Sequence, residues 1–270
     1  MAGKSQLAVT WHCYISSSIV NWREKILKRY GLPEVRYPFR QNTLFFGLYH
    51  WVDWLKFALC QGKRKVFWCG SDILALEKTY YWKHVIAKLK SEHICENYVE
   101  QQKLREVGIE ARVQQICLST PYPELSYKYK RNSDVYICVT QNRESEYGLT
   151  TLITVAKLVS EITFHVFGVL RPWQQPNVVY YGKVSERVFN QSIKNFHACL
   201  RLNEFDGFGD ALAKSALMGQ WPISAIAYPH ITHAPGTEAL IGALKELKNK
   251  KEPNYEGREY WLKELGKNLV

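Results

Sequence analysis

The chain has 270 residues, 46% of them hydrophobic and 23% charged. That length buries a full core, in one large domain or two small ones, and the balance excludes a disordered chain. A net charge of +11 points to an anionic partner: a nucleotide, a nucleic acid or an acidic membrane surface.

No run approaches the roughly 20 apolar residues that span a bilayer, so no transmembrane segment is expected. The first residues, Met1-Ala-Gly-Lys-Ser-Gln, lack a signal peptide's apolar core, and a cytoplasmic protein is expected. The seven cysteines form no CxxC pair and several lie inside apolar runs, which predicts reduced, mostly buried thiols and no structural metal. His230 and His233 are three apart but sit in a Pro-rich loop, so no metal site is expected there either. Basic residues cluster at Lys63-Arg64-Lys65, Lys128 to Arg131 and Lys245 to Lys251. These read as solvated faces by default, with a peripheral anionic surface as the partner they allow.

Leu7 to Trp11 reads as a first buried strand, followed by a helix near Ile19 to Arg29 that ends at Tyr30-Gly31. Thr43 to Tyr49 is a second strand, and Trp51 to Leu59 an amphipathic helix with Trp51, Trp54, Leu55 and Ala58 on one face. Lys65 to Cys69 is a third strand running into Gly70-Ser71-Asp72, where Ser71 or Asp72 caps a short helix. A longer helix spans Tyr80 to Leu89, and a strand lies near His93 to Cys95. Asn97 caps a helix through Glu106 that stops at Gly108, and Ala111 to Cys117 is a further strand. Such alternation predicts a parallel α/β sheet. Ser119 to Ser133, with two prolines and alternating Tyr and Lys, reads as a linker between two domains.

The second half restarts the pattern. Val135 to Val139 is a buried strand, Thr140 to Ser145 a polar loop, and Leu149, Leu152, Ile153, Ala156 and Val159 a helical stripe. Strands follow at Ile162 to Phe167 and Asn177 to Tyr181, then a helix from Ser185 to about Gln191. Phe196 to Leu200 leads into Asn203-Glu-Phe-Asp-Gly-Phe-Gly-Asp210, with helical spacing from Ala211 to Met218 and a stop at Gly219. One or two short strands lie in Trp221 to Ile226, and two helices, about Thr237 to Lys248 and Tyr255 to Leu265, close the chain. A strand, an acidic turn with two glycines and a helix put backbone N–H groups and a positive helix end beside a ligand, which suits phosphate. The alternative is a turn whose glycines only satisfy a positive φ.

The order of these features resembles that of a compact GT-B glycosyltransferase whose C-terminal domain is like glycosyltransferase family 4. The likeness is carried by the strand, the Arg143 loop and the helix, by Gly168 and Asn177 to Gly182, and above all by the acidic-Gly-Phe-Gly turn. Phe67 to Asp72, Glu96-Asn-Tyr and Leu104 to Ile109 resemble the matching parts of the first half. The resemblance implies an α/β protein of two Rossmann-like domains facing each other across a cleft, here shortened. Residues 1–120 would form the acceptor side and 134–250 the donor side, with the closing helix of about 255–267 packing back on the first domain.

The implied activity is transfer of a sugar from a nucleotide-diphosphate donor, UDP- or GDP-linked, to a carbohydrate, lipid-linked or nucleic-acid acceptor, with no cofactor or essential metal. The implied donor-binding residues are Asn142, Arg143, Gly207, Phe208, Gly209, Asp210 and Lys214, with Gly70 and Ser71 on the acceptor side and Asp206, Asp72 and His12 as the catalytic candidates. Each has a plainer reading: Arg143 as a solvated loop residue, Asp206 as an Asx-type brace of its turn, Asp72 as a helix cap, His12 as a structural histidine. The retaining branch of the family carries a second acidic residue where this chain has Lys214, and an ammonium only donates hydrogen bonds. The lysine implies a different grip on the nucleotide, a cation turned to the diphosphate, or lost activity. Rival readings are a nucleic-acid-binding or DNA-base-glycosylating protein, permitted by nine Trp and seventeen Tyr, and a catalytically silent glycosyltransferase-like scaffold.

Overall fold

The computed structural model describes residues 10–118, 128, 130–131, 134–170 and 174–270. Almost all of the expected linker and the first residues of the expected opening strand lie outside them. The chain divides into two units, Met1–Leu118 with Asn268–Val270, and Ser119–Lys267.

In the first unit five parallel strands lie in sequence order: β1 (Trp11–Ile15), β2 (Asn42–Phe46), β3 (Arg64–Phe67), β4 (Glu92–Cys95) and β5 (Ala111–Val113). A 3-10 turn at Ser17–Trp22 and α1 (Arg23–Tyr30) follow β1. Then α2 (Trp51–Leu59) follows β2, α3 (Ser71–Glu77) and α4 (Tyr80–Lys88) follow β3, and α5 (Tyr98–Glu106) follows β4. After α1 the chain does not cross directly to β2. The Cys13 N–H donates to Pro33 C=O at 2.9 Å and the Val35 N–H to Cys13 C=O at 2.8 Å, a parallel bridge on the free edge of β1. Winding therefore reverses at β1, and the carboxyl ends of β1 and β2 flank a switch point. Leu44, Phe46, Phe67 and Ile94 pack with Ile19, Ile26 and Leu269 in the core. Leu44, Phe45 and Phe46 are all buried, as expected of a parallel sheet covered on both faces.

The second unit has a six-stranded parallel sheet. Its strands are β6 (Asp134–Cys138), β7 (Thr163–Phe167), β8 (Val178–Gly182), β9 (Ala198–Arg201), β10 (Ile223–Ser224) and β11 (Thr232–His233). The order is β11-β10-β9-β6-β7-β8. The chain winds outward from β6 to β8, returns to β9 on the other side of β6, and winds outward again. This is the doubly wound Rossmann order, with its switch point between β6 and β9. Side chains alternate along β6 with the period of two that a strand imposes. Val135 and Ile137 pack with α6 (Leu149–Leu158) and α9 (Gly236–Leu247). Tyr136 faces Ile193 of α7 (Glu186–Ile193) and Ala211 of α8 (Asp210–Leu217).

Two expectations differ from the structure. The closing helix α10 (Tyr255–Leu265) groups with the second unit, not the first: Trp261 stacks on Phe208 at 4.3 Å, and Arg258 Nε donates to Leu217 C=O at 2.9 Å. Only residues 268–270 return to the first unit, where Lys65 Nζ donates to Leu269 C=O at 3.1 Å. The buried face of α2 is also rotated from its expected position. Asp53, Trp54 and Phe57 point inward, while Trp51 and Leu55 are exposed. The buried Asp53 is the cause: it accepts from Tyr14 Oη at 2.6 Å, Ser16 Oγ at 2.8 Å and the Tyr49 and His50 N–H groups. A satisfied buried carboxylate outweighs the apolar stripe in setting the helix rotation.

Candidate functional site

At the β6/β9 switch point two segments meet. The loop after β6 is a chain of tight turns: the Arg143 N–H donates to Thr140 C=O, the Tyr147 N–H to Arg143 C=O and the Gly148 N–H to Ser145 C=O. Asn142 takes a left-handed conformation, φ 66°, and its N–H donates to Glu144 Oε1. Gly148 closes the loop onto the chain beyond β9, where an added Cβ would lie 2.4 Å from that of Leu202.

The second segment is the turn from Asn203 to Gly209. Gly209, φ 74°, is the N-cap of α8 and has no side chain to cap it; the first intrahelical bond runs from the Ala213 N–H to Gly209 C=O at 3.1 Å. The N–H groups of the first turn precede that bond, and the helix start carries a partial positive charge. Beneath the turn lies Arg201, the last residue of β9. Its Nη2 donates to Asp206 Oδ2 at 2.5 Å and to Gly207 C=O at 3.4 Å. The Tyr147 ring joins the two segments, with the guanidinium carbons of Arg143 and Arg201 each 5.6 Å from its centroid. Burial is the largest single influence on the Arg201 charge and opposes it, but the Asp206 carboxylate, together with Tyr147, Tyr228 and Cys199, outweighs it and holds the pKa above the usual value. Arg143 is exposed, is tied to Glu146 Oε2 through Nε at 2.8 Å, and senses the Asp206 charge. Arg143 and the glycine turn thus belong to one cluster.

Two expected donor-site residues, Phe208 and Lys214, and one catalytic candidate, Asp206, have other partners. Phe208 is fully buried, stacked on Trp261 and edge-on to Tyr228 at 5.0 Å, so it anchors the turn in the core. Asp206 braces its own turn: Oδ1 accepts from the Gly207 N–H at 2.8 Å while Oδ2 accepts from Arg201. Lys214, only 2% exposed, faces α7, where Nζ donates to Glu186 Oε1 at 3.1 Å and Asn190 Oδ1 at 2.7 Å. Its ammonium is therefore neutralised within the fold.

In the first unit Asp72 is fully buried. Its Oδ1 accepts from the Cys69 and Ile73 N–H groups and its Oδ2 from the Leu48 N–H, which ties the carboxyl ends of β2 and β3 to the start of α3. Burial pushes its pKa up to about 7, against the pull of those N–H groups. Gly70 (φ 84°) is the buried N-cap of α3, and Ser71 is exposed beside it. Asp72 is thus a clamp rather than a base presented to an acceptor. His12 is the second residue of β1 and pairs in register with Thr43, toward the amino end of the strand rather than beyond its carboxyl end. Among the described residues no group of three or more His, Cys, Asp or Glu side chains is placed to hold a metal ion.

No protein-family model matches the sequence, and no curated protein matches it. The structure is similar to sucrose-phosphate synthase from Thermosynechococcus elongatus (TM-score 0.61, 12% identity, covering 92% of this chain and 73% of that one). It is similar also to the lipopolysaccharide outer core galactosyltransferase WaaB in its apo form (TM-score 0.59, 14% identity, 93% and 78%). The chain has the GT-B glycosyltransferase fold. A further GT-B neighbour is the pneumococcal O-GlcNAc transferase GtfA in complex with UDP and GlcNAc (TM-score 0.55, 11% identity, 91% of this chain and 56% of that one). Within this fold the sequence reading missed Arg201, Tyr147 and Glu186. A signal for Arg201 was present, since a cation that ends the apolar run Ala198-Cys-Leu just before an acidic glycine turn has little reason to be there without a partner. Glu186 carried none, because 28 residues separate it from Lys214.

Proposed function

We propose that the chain is a glycosyltransferase that takes its sugar from a nucleoside-diphosphate donor and holds the donor's diphosphate on the second unit, beside β6 and β9. One observation carries the reading: the glycine-capped start of α8 and the pair Arg143 and Arg201 converge around Tyr147 at the switch point. When the bond to the anomeric carbon breaks, negative charge gathers on the leaving diphosphate. A helix start worth about half a positive charge, held in place by the turn, meets that charge without reorganising, and Arg143 adds a mobile cation beside it. Arg143 exchanges its exposed tie to Glu146 for phosphate at small cost, since exposed ion pairs contribute about 0–1 kcal/mol. Arg201 stays under the turn and sets its shape.

These cations stand in for a divalent ion, so transfer is expected to survive EDTA. UDP- and GDP-sugars are the proposed donors, with a carbohydrate, free or lipid-linked, as acceptor; UDP is the nucleotide in the GtfA structure. All seven cysteines are free, which supports a reducing, cytoplasmic setting. A nucleic-acid partner is less well supported, because the proteins that share the fold are a sucrose-phosphate synthase and a galactosyltransferase.

Thermal denaturation with UDP, GDP and their sugars tests the reading. A ligand that binds only the folded form raises Tm, by about 2.7 kcal/mol of stability at a hundred times Kd. Arg143→Ala is expected to abolish the shift while leaving the unliganded Tm unchanged, and to lower transfer about 100-fold. Absence of a shift with every common nucleoside diphosphate would refute the proposal. A second reading, a silent nucleotide-binding scaffold, rests on Asp206 and Lys214 both being committed to internal partners. Donor turnover, as transfer or as slow hydrolysis, eliminates it.

A further inference from the structure

The first unit carries a surface that the donor site does not use. In α2 the exposed side chains are Trp51, Val52, Leu55 and Leu59, an apolar stripe about 100° wide. A helix that is apolar on its outer face as well as its inner one is not built for water on that side. Trp51 is 62% exposed, and Tyr80 and Tyr81 at the start of α4 are 84% and 65% exposed. The Trp54–Trp82 contact, with ring centroids 6.0 Å apart, joins α2 to α4, and Tyr81 is edge-on to Trp82 at 5.4 Å. On the other flank Tyr37 and Phe39 are exposed and stacked at 6.2 Å, and the Gln61 N–H beyond α2 donates to Phe39 C=O. Lys56 bridges that flank to the helix, its Nζ 5.4 Å from the Tyr37 ring.

The charge beside this patch is mainly positive, and Glu77, the acidic neighbour of Lys78, is paired with Lys103 at 3.3 Å. Arg36 lies against Tyr37, Arg40 follows Phe39, and Lys78 and Lys83 bracket Tyr80 and Tyr81. The aromatic rings have apolar bodies and polar tips, and the long cations bury their stems while keeping their heads wet, as side chains at a lipid headgroup boundary do. A second copy of the chain would bring the same cations, and another net +11, against this face, whereas an anionic surface neutralises them.

We propose that the outer face of α2, with Tyr37, Phe39, Tyr80 and Tyr81, docks the folded protein on a bilayer bearing anionic headgroups. The chain lies on such a surface without spanning it; among the described residues no helix is long and apolar enough to cross a membrane.

The test is co-sedimentation of the full chain with phosphatidylcholine vesicles, alone or mixed equally with phosphatidylglycerol, at low and high salt. Binding to the mixed vesicles only, weakened by salt and accompanied by a blue shift of tryptophan emission, is the expected result. The double variant Trp51→Ser, Leu55→Ser changes two exposed side chains, so its Tm is expected to hold while its partitioning falls about tenfold or more. Lys78→Gln with Lys83→Gln is expected to reduce the preference for phosphatidylglycerol. The proposal is overturned if the folded protein stays in solution with both vesicles, if binding ignores salt, or if the double variant binds as well as the parent. A dimer in sedimentation analysis that the double variant dissolves, without vesicle binding, assigns the face to self-association and overturns it equally.

Discussion

Asp72 and Lys214 are charged side chains that the fold has taken inside, and each makes a measurable prediction. Asp72 has a folded pKa of about 7 against an ordinary value of 3.8. A carboxyl whose pKa rises on folding binds its proton more tightly in the native state. Its contribution is therefore complete below about pH 4, is lost as the pH rises to about 7, and is flat above. The difference is on the order of 4 kcal/mol for this fully buried group. Urea midpoints for the first unit should fall between pH 5 and pH 8, and Asp72→Asn should flatten that fall. An unchanged slope would remove Asp72 as its source. For Lys214 the order of effects is the signature. Glu186→Gln leaves an ammonium buried without its carboxylate and is expected to cost about 3 kcal/mol. Lys214→Met leaves Glu186, whose side chain is 36% exposed, to rehydrate, and is expected to cost less. The reverse order in urea denaturation would contradict the described pairing.

At the scale of elements, the turn into α8 is held by a close approach. An added Cβ at Gly209 would lie 2.9 Å from the Arg201 guanidinium carbon, on a backbone with φ 74°. Arg201 cannot swing aside without losing Asp206, so strain and a broken ion pair coincide. Gly209→Ala is expected to cost about 1–3 kcal/mol and to remove the nucleotide-induced rise in Tm. A variant that keeps both would show that the turn's shape is dispensable. The α8–α10 contact explains why the final helix is in the second unit. Phe208 and Trp261 are both fully buried and stacked, and an aromatic of this size dominates the packing of the helix that carries it.

For the whole molecule, two parallel sheets lie in one chain without a disulfide. All seven cysteines are free and six are buried. Burial raises the thiol pKa of Cys60, Cys69, Cys95 and Cys199, which suppresses the reactive thiolate. A disulfide reagent should therefore react slowly with the folded protein, the half-buried Cys138 included, since burial pushes its thiol up to about 12. Seven equivalents should react in denaturant. Fast labelling of the native chain would mean that buried elements open readily.

Composition and periodicity alone determined most of the elements, because hydrophobic spacing and helix stops are local. Asn97 capping α5, Gly31 ending α1 and Trp51–Leu59 as a helix are all found where the sequence placed them. The glycine turn and the Arg143 loop were likewise legible, since both directly follow apolar strands. Strand order, and with it the convergence of those two segments on one switch point, needed the tertiary structure, because hydrogen bonds between strands far apart in the chain leave no local trace. The same holds for the partners of buried charges. Nothing near Lys214 in sequence indicates that its ammonium meets Glu186 and Asn190 rather than a ligand, or that Asp53 would turn the apolar stripe of α2 toward solvent. A charged group removed from water must be satisfied wherever the fold brings a partner, and that pairing across the chain is what only the folded molecule decides.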